Sequence, residues 1–421
     1  MRMIYLFVLY LLLPFLILRL LWKSWRFPLY RARMLERFSL NDLKKQPVDV
    51  WLHAVSLGEV VAATPLIEQC LEEGSRVLVT SMTPTGSTQI IKQFGDRVLH
   101  QYIPYDYPWC LKRFFKAYQP RIGIIMETEL WPNLIIAATQ AGVSLFLTNA
   151  RISTRAFRQY QWIKRFLKPY LNQFNFIFAQ SELDASRFIA LGAQPSQVKM
   201  YGNMKFDILI KPTKNDLLFK LKKTWGGARP VVMAASTHEG EENEILKSFH
   251  RLKAMMPGVL LLIAPRHPQR FESVVKLSTD HGYISAQRTR LDEVNEATEV
   301  FIIDSLGELL TFYALSDYAF VGGSFVPVGG HNVLEPIALG VPVFCGPFMQ
   351  NSQAVCDGLK EAGGLRQVSD ADAWVDELIL LHQNPDIKYA QIEHAGAMLT
   401  ANQGVVSRTL IDIIKTSPPR V

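Results

Sequence analysis

From about residue 48 the chain alternates short apolar runs with amphipathic segments. In the first half the apolar runs are Val50–Ser56, Arg76–Met82, Arg121–Glu127, Ser144–Asn149 and Phe176–Gln180. After residue 228 the pattern restarts with Pro230–Ser236, Val259–Pro265, Val300–Asp304, Tyr318–Gly322 and Pro342–Gly346. Many of these runs are β-branched and lack apolar–polar alternation, the mark of parallel strands covered on both faces. With helix-like stretches between them, the pattern predicts α/β architecture with parallel sheets. Lys211-Pro-Thr-Lys-Asn215, a short basic helical segment and Gly226-Gly227 separate the two sets. The reading is therefore two similar α/β domains, 23–205 and 229–421, joined by a linker at 206–228 and enclosing a cleft. Ligands in such sheets bind beyond the carboxyl ends of the strands.

The first 22 residues follow a different pattern. Met3–Leu18 is apolar almost throughout and is followed by Arg19, Leu20, Leu21 and Trp22. That is near the roughly 20 residues that span a bilayer. A signal peptide is the rival reading, but Trp22, Trp25, Phe27 and Tyr30 stand where a small-residue cleavage site belongs. An uncleaved anchor over 1–22 is expected. Only Arg2 precedes the apolar run, whereas Arg19, Lys23, Arg26, Arg31 and Arg33 lie at or after its end, which places the rest of the chain in the cytoplasm.

Charge then changes the picture. The 45 basic and 38 acidic residues leave +7, but six of the excess charges fall within residues 1–33, which contain no acid. The remainder is nearly neutral, so a nucleic-acid partner loses its support. Of the 421 residues 49% are apolar and 20% charged, which excludes a disordered chain. Cys70, Cys110, Cys345 and Cys356 form no C-x-x-C pair, so neither a disulfide framework nor a structural zinc site is expected, and a reducing compartment fits.

Several strand ends carry chemistry. His53-Ala-Val-Ser56-Leu-Gly58-Glu59 places Glu59 in the first turn of a helix. Ser56-x-x-Glu59 reads as a capping box, or Glu59 as a general base kept ionised by the helix terminus. Thr80-Ser-Met-Thr-Pro-Thr-Gly86 reads equally as an anion or sugar site and as an N-cap. Glu127-Thr-Glu129 at the end of an apolar strand predicts acids exposed to a cleft. Residues 151–176 contain no acid. Arg151, Arg155, Arg158, Arg165 and Lys168 fall near one helical face, and Tyr160, Ile163, Leu167, Tyr170, Leu171 and Phe174 form another. This is either an ordinary amphipathic helix or a basic surface facing anionic lipid. Lys205, in Gly202-Asn-Met-Lys-Phe-Asp207, is a cation able to stabilise developing negative charge, or a solvated surface lysine.

In the second half, His238-Glu-Gly-Glu-Glu242 lacks metal-binding spacing. Arg266, His267 and Arg270 at a strand end read as a phosphate clamp. The strongest single signal is the glycine-rich turn Gly322–Gly330, leading into a helix whose first turn carries His331, Asn332 and Glu335. It is read as holding a phosphate on backbone N–H groups and a ribose on a carboxylate. Neither a Walker A motif nor a strict G-x-G-x-x-G is present, and Asp370-Ala-Asp372 reads as a helix cap.

Five of these blocks taken together resemble one family. His53–Glu59, Glu127–Pro132, Gly202–Asp207, Ala264–His267 and Gly329–Pro336 are similar, in order, to the 3-deoxy-D-manno-octulosonic acid (Kdo) transferases of lipopolysaccharide synthesis. The resemblance runs from the anchor to about residue 400, with Met204 a small departure where an aliphatic residue is common. It implies a GT-B fold, two Rossmann-like domains facing a central cleft. It implies an inverting transfer of Kdo from CMP-Kdo to the lipid A precursor lipid IVA at the cytoplasmic side of the inner membrane, with no metal and no cofactor. In that resemblance Glu59 is the general base, and Glu129 and Lys205 stabilise the transition state. Pro265, Arg266, Gly307, Glu308, Leu309, Asn332, Val333, Leu334 and Glu335 bind CMP. The first domain then serves the acceptor and the second the donor. The alternatives are a GT-B transferase using a UDP-hexose, a non-catalytic membrane-bound nucleotide or lipid A binder, and a generic NAD oxidoreductase.

Overall fold

The computed structural model describes residues 2–26, 28–31, 33–43, 45–207, 225, 229–293 and 295–417. The predicted linker markers at 211–215 and 226–227 lie outside these described residues. The chain divides into two compact units, Met1–Asp207 with Gly404–Val421, and Ile208–Gln403.

The first unit is built on a seven-stranded sheet. Its strands are β1 (Val50–His53), β2 (Val77–Ser81), β3 (Leu99–Tyr102), β4 (Ile122–Met126), β5 (Ser144–Ala150), β6 (Phe174–Ala179) and β7 (Val198–Met200). Their order is β3-β2-β1-β4-β5-β6-β7, with every pairing parallel. β1, β2 and β4 are buried at every position, because helices cover both faces of the sheet. The order reverses between β1 and β4, which makes their carboxyl ends the place where such sheets bind ligands.

The second unit repeats the plan with β8 (Val231–Thr237), β9 (Leu260–Pro265), β10 (Ser285–Gln287), β11 (Val300–Ile302), β12 (Tyr318–Val321), β13 (Val343–Cys345) and β14 (Arg366–Gln367). The order is β10-β11-β9-β8-β12-β13-β14, again all parallel. Its reversal lies between β8 and β12. All four cysteines are buried free thiols.

Every strand expected from the apolar runs is present, shifted by at most a few residues. The four missing from that set, β3, β7, β10 and β14, are the four sheet edges. An edge strand is covered less completely and needs no continuous apolar run.

Residues 404–421 correct the predicted domain boundary, for they belong to the first unit rather than the second. Helix Val405–Thr416 places Val405, Val406, Leu410 and Ile413 in the core that contains Val60, Ala63, Leu66 and Ile67 of helix Leu57–Glu72. Asp207 seats its start, accepting from the N–H groups of Gly404 at 3.0 Å and Val406 at 2.8 Å. Asp412 accepts from Lys199 and from the Tyr201 hydroxyl, at 2.5 and 2.6 Å.

The N-terminal helix runs from Arg2 to Arg26, and its length and apolarity suffice to cross a membrane. One side touches the first unit. Tyr5 donates to Asp106 at 2.7 Å, and the Tyr107 hydroxyl donates to the Leu9 carbonyl at 2.9 Å. The other side exposes Phe7, Leu11, Phe15 and Leu18. The basic stretch forms two helices rather than one, Thr154–Trp162 and Lys164–Leu171, breaking at Ile163. The first buries none of its residues, and Trp162 at its end is 91% exposed; the second buries Leu167, Tyr170 and Leu171.

Candidate active site

Glu59 stands at the start of helix Leu57–Glu72, just beyond β1. Ser56 caps the helix by accepting from the Glu59 N–H and donates its own hydroxyl to Glu59 Oε1 at 2.9 Å. Val55 N–H donates to Oε2 at 2.8 Å. The capping arrangement is therefore real, but it does not keep the carboxylate at its usual acidity. Glu59 is only 8% exposed. Burial dominates and pushes its pKa up to about 7; the Val55 and Ser56 bonds oppose this, while Glu127 and Glu129 add to it by repulsion. The expected effect of the helix terminus is overridden by desolvation.

β4 ends at Met126, and Glu127 turns out of it with a left-handed φ of +56°. Lys205, on the single 3₁₀ turn Met204–Phe206, places Nζ 3.4 Å from Glu127 Oε1. That turn is fixed from two sides. Asn149 Oδ1 accepts from the Met204 N–H and Asn203 Oδ1 from the Lys205 N–H, both at 3.0 Å. Glu129 is raised in pKa by burial, opposed by a hydrogen bond with Trp131 and reinforced by Glu127. The first unit thus gathers three carboxylates and one ammonium. Glu59, Glu129 and Lys205 came from the sequence, and Glu127 is the member that it did not assign. The Thr80–Gly86 stretch resolves as a cap, with Thr83 Oγ1 accepting from Gly86 N–H at 3.1 Å.

In the second unit the glycine-rich turn differs from its sequence reading. The carboxylate of Glu241, 1% exposed, accepts from the N–H groups of Gly323, Ser324 and Phe325 at 2.7, 3.0 and 2.8 Å, and from His238 N–H at 2.8 Å. A protein carboxylate already occupies the donors expected to hold a phosphate. The helix after the turn starts only at Leu334, so His331 and Asn332 precede it. Asn332 accepts from Leu334 N–H at 3.1 Å and donates to Glu335 Oε1 at 3.0 Å. Burial raises the pKa of Glu335, which Asn332 and Arg266 pull back.

The expected arginine clamp is also smaller than predicted. Arg270 is held by Glu242 at 3.2 Å and Glu239 at 3.4 Å. Arg266, exposed just after β9, makes no ion pair among the described residues. Glu308 is tied to Arg288 through two bonds of 2.9 and 2.7 Å, and Leu309 packs against the core of its unit. Pro265, Val333 and Leu334 are buried. Of the predicted nucleotide-site residues, Arg266, Asn332 and Glu335 act on one another: Asn332 bonds Glu335, and the Arg266 charge pulls the Glu335 pKa down. Asp370 caps its helix as read, accepting from Ala373 N–H at 2.9 Å. Among the described residues no group of three or more His, Cys, Asp or Glu is arranged to hold a metal ion.

The model of the Kdo transferase N-terminal family, described as 3-deoxy-D-manno-octulosonic-acid transferase, matches residues 32–208. The 3-deoxy-D-manno-octulosonic acid transferase of Haemophilus influenzae is 38% identical over 396 residues, covering 92% of each chain. That of Bordetella pertussis is 36% identical over 372 residues, covering 86% of each. Among solved structures, the UDP-GlcNAc 2-epimerase of Neisseria meningitidis aligns with a TM-score of 0.52 at 16% identity, over 87% of this chain and 99% of the other. That likeness is one of fold, the GT-B plan of two Rossmann-like units.

Proposed function

Since the chain belongs to the Kdo transferase family and is therefore a glycosyltransferase, we propose that it moves Kdo from CMP-Kdo to lipid IVA with inversion, using Glu59 as base. The observation that carries this reading is the buried Glu59 carboxylate with its pKa near 7. A base is most effective when its pKa lies near the working pH. At neutral pH Glu59 is partly ionised, and the Val55 N–H and Ser56 hydroxyl fix its two oxygens.

In the proposed step an acceptor hydroxyl attacks the anomeric carbon of Kdo and gives its proton to Glu59. The bond from that carbon to the phosphate oxygen breaks, and its electron pair leaves with CMP. A single displacement inverts the centre. Lys205, held by Glu127, and the half-buried Glu129 serve the charge that develops at the sugar. Arg266 serves the leaving phosphate, with Asn332 and Glu335 beside it and the backbone of 307–309 completing the nucleotide site. Fixed cations suffice for this role without a metal.

The helix Arg2–Arg26, with its outward Phe7, Leu11, Phe15 and Leu18, supports attachment to a membrane. The basic residues that follow its apolar run favour the cytoplasmic face of the inner membrane. Mass spectrometry of lipid IVA after incubation with CMP-Kdo in excess EDTA tests donor, acceptor and metal independence together. A gain of one or more Kdo masses is expected. No gain, or a gain only with added Mg²⁺ or with a UDP-hexose, overturns the proposal.

A further inference from the structure

His238 follows β8 and His331 lies in the loop after β12, at the point where the second sheet reverses its order. Their Nε2 atoms are 2.9 Å apart, and the rings lie within 9° of parallel. Two imidazole nitrogens at that distance share a proton, one ring donating and the other accepting. Such a pair carries a charge of zero or one while keeping its bond. A second added proton would put a hydrogen on both facing nitrogens and break it. The arrangement is thus built to take up one proton and no more.

The surroundings hold the pair in place. Gly323 has φ +66°, and a Cβ there would stand 3.0 Å from His331 Cδ2 and 3.3 Å from His238 Cδ2. Glycine suits this position on both counts, the left-handed backbone and the close approach of both rings. One oxygen of Glu241 accepts from both His238 N–H and Gly323 N–H, tying the two loops together. His267 stands edge-on to His238 at 5.2 Å. Neither Nδ1 of the pair has a hydrogen-bond partner among the described residues.

The groups facing the pair are Arg266, Arg270, His267 and Glu241, with Arg270 itself paired to Glu239 and Glu242. Burial, with Arg266, His238 and His267 adding to it, lowers the pKa of His331 to about 4. Burial also lowers that of His238; Glu241 opposes this, and His267, Arg266 and Arg270 reinforce it. With no anion bound, the pair is neutral at pH 7.

The geometry points to the His238–His331 pair as an anion site that captures one proton when it fills, binding the phosphate or the sugar carboxylate of the donor in its singly charged form. This rests on the donor reading above. Burial is the main cause of the pair's neutrality; an anion beside Arg266 cancels the cationic repulsion added to it and, as a counter-charge to the buried imidazolium, rewards protonation of the pair.

The test is imidazole ¹⁵N NMR of the full chain in detergent at pH 7.5, with CMP, UMP, cytidine, free Kdo and inorganic phosphate as probes. Glu- or Arg-directed variants are not needed; His238→Gln and His331→Gln assign the signals. One imidazolium signal is expected on saturation with CMP, absent with cytidine. Free Kdo and inorganic phosphate separate the carboxylate from the phosphate as its source. Calorimetry in two buffers should show about one proton taken up per CMP. Between pH 7.5 and 8.5, where free phosphate monoesters are already dianions, the CMP Kd should rise about tenfold per pH unit. Both effects should vanish in His331→Gln. CMP binding with both rings still neutral overturns the proposal, as does a failure of every probe to charge the pair. If UMP charges the pair and CMP does not bind, the pair stands and the CMP donor falls.

Discussion

Lys205 reaches Glu127, with 3.4 Å between ammonium and carboxylate, and not Glu129, the acid that the family resemblance singles out. Glu127 achieves this from a left-handed backbone conformation that non-glycine residues seldom adopt. Strain of this kind clusters at functional sites. Glu127 therefore links the two predicted groups, since it pairs with Lys205 and also repels the charge on Glu59 and Glu129.

Glu127→Gln should lower the pKa of Glu59, because a repelling charge is removed. The acid limb of the kcat/KM profile should then move to lower pH, while loosening of Lys205 costs about tenfold in kcat. A pH–rate profile of the variant checks both. An unmoved limb separates Glu127 from Glu59.

Glu59→Gln should reduce kcat by about 10²–10⁴-fold, the usual share of a general base, and leave CMP binding intact. It should also stabilise the protein at alkaline pH. The folded pKa of Glu59 is raised above its unfolded value, so its favourable contribution is present below about pH 4.5 and lost as pH rises through about 7. The variant does not suffer that loss. Melting temperatures at pH 5 and pH 8 should show the gain at pH 8 only.

Glu241→Ala should destabilise the second unit by about 3 kcal/mol, because two buried and two part-buried N–H groups lose their acceptor. Glu241→Gln retains one acceptor oxygen and should fall between. Thermal unfolding ranks the three proteins, and CMP affinity should follow the same order.

Tyr5→Phe should cost about 1 kcal/mol by removing the hydroxyl that donates to Asp106. Burial holds Asp106 near pKa 6, and the bonds from Tyr5, Asn133 and Leu134 pull it down. Loss of one donor lets that pKa climb. The stability that protonated Asp106 supplies is lost as pH rises through its folded pKa, so in the variant the decline should move to higher pH. Unfolding curves between pH 5 and 8 measure the shift.

The interior strands were legible because burial on both faces writes an unbroken apolar run, as at Val77–Ser81 and Leu260–Pro265. The sheet edges at Ser285–Gln287 and Arg366–Gln367 carry no such run. Glu59, Lys205 and Arg266 stood out as charges at strand ends. Local spacing alone did not distinguish Glu127 from Glu129 as the partner of Lys205, since that depends on one backbone angle. The glycine-rich turn was visible, but Glu241, which fills it, lies more than eighty positions upstream in the chain. His238 and His331 are 93 positions apart. Contacts across two loops of a sheet leave no local pattern.

Helix Val405–Thr416 is made only after the whole of the second unit, yet it packs on the helix that begins beside Glu59. The carboxylate-bearing unit is consequently unfinished throughout translation of the other unit, with Val60, Leu66 and Ile67 short of their covering. A stop codon just ahead of Val405 should therefore unsettle the first unit while sparing the fold of the second, translated just before it.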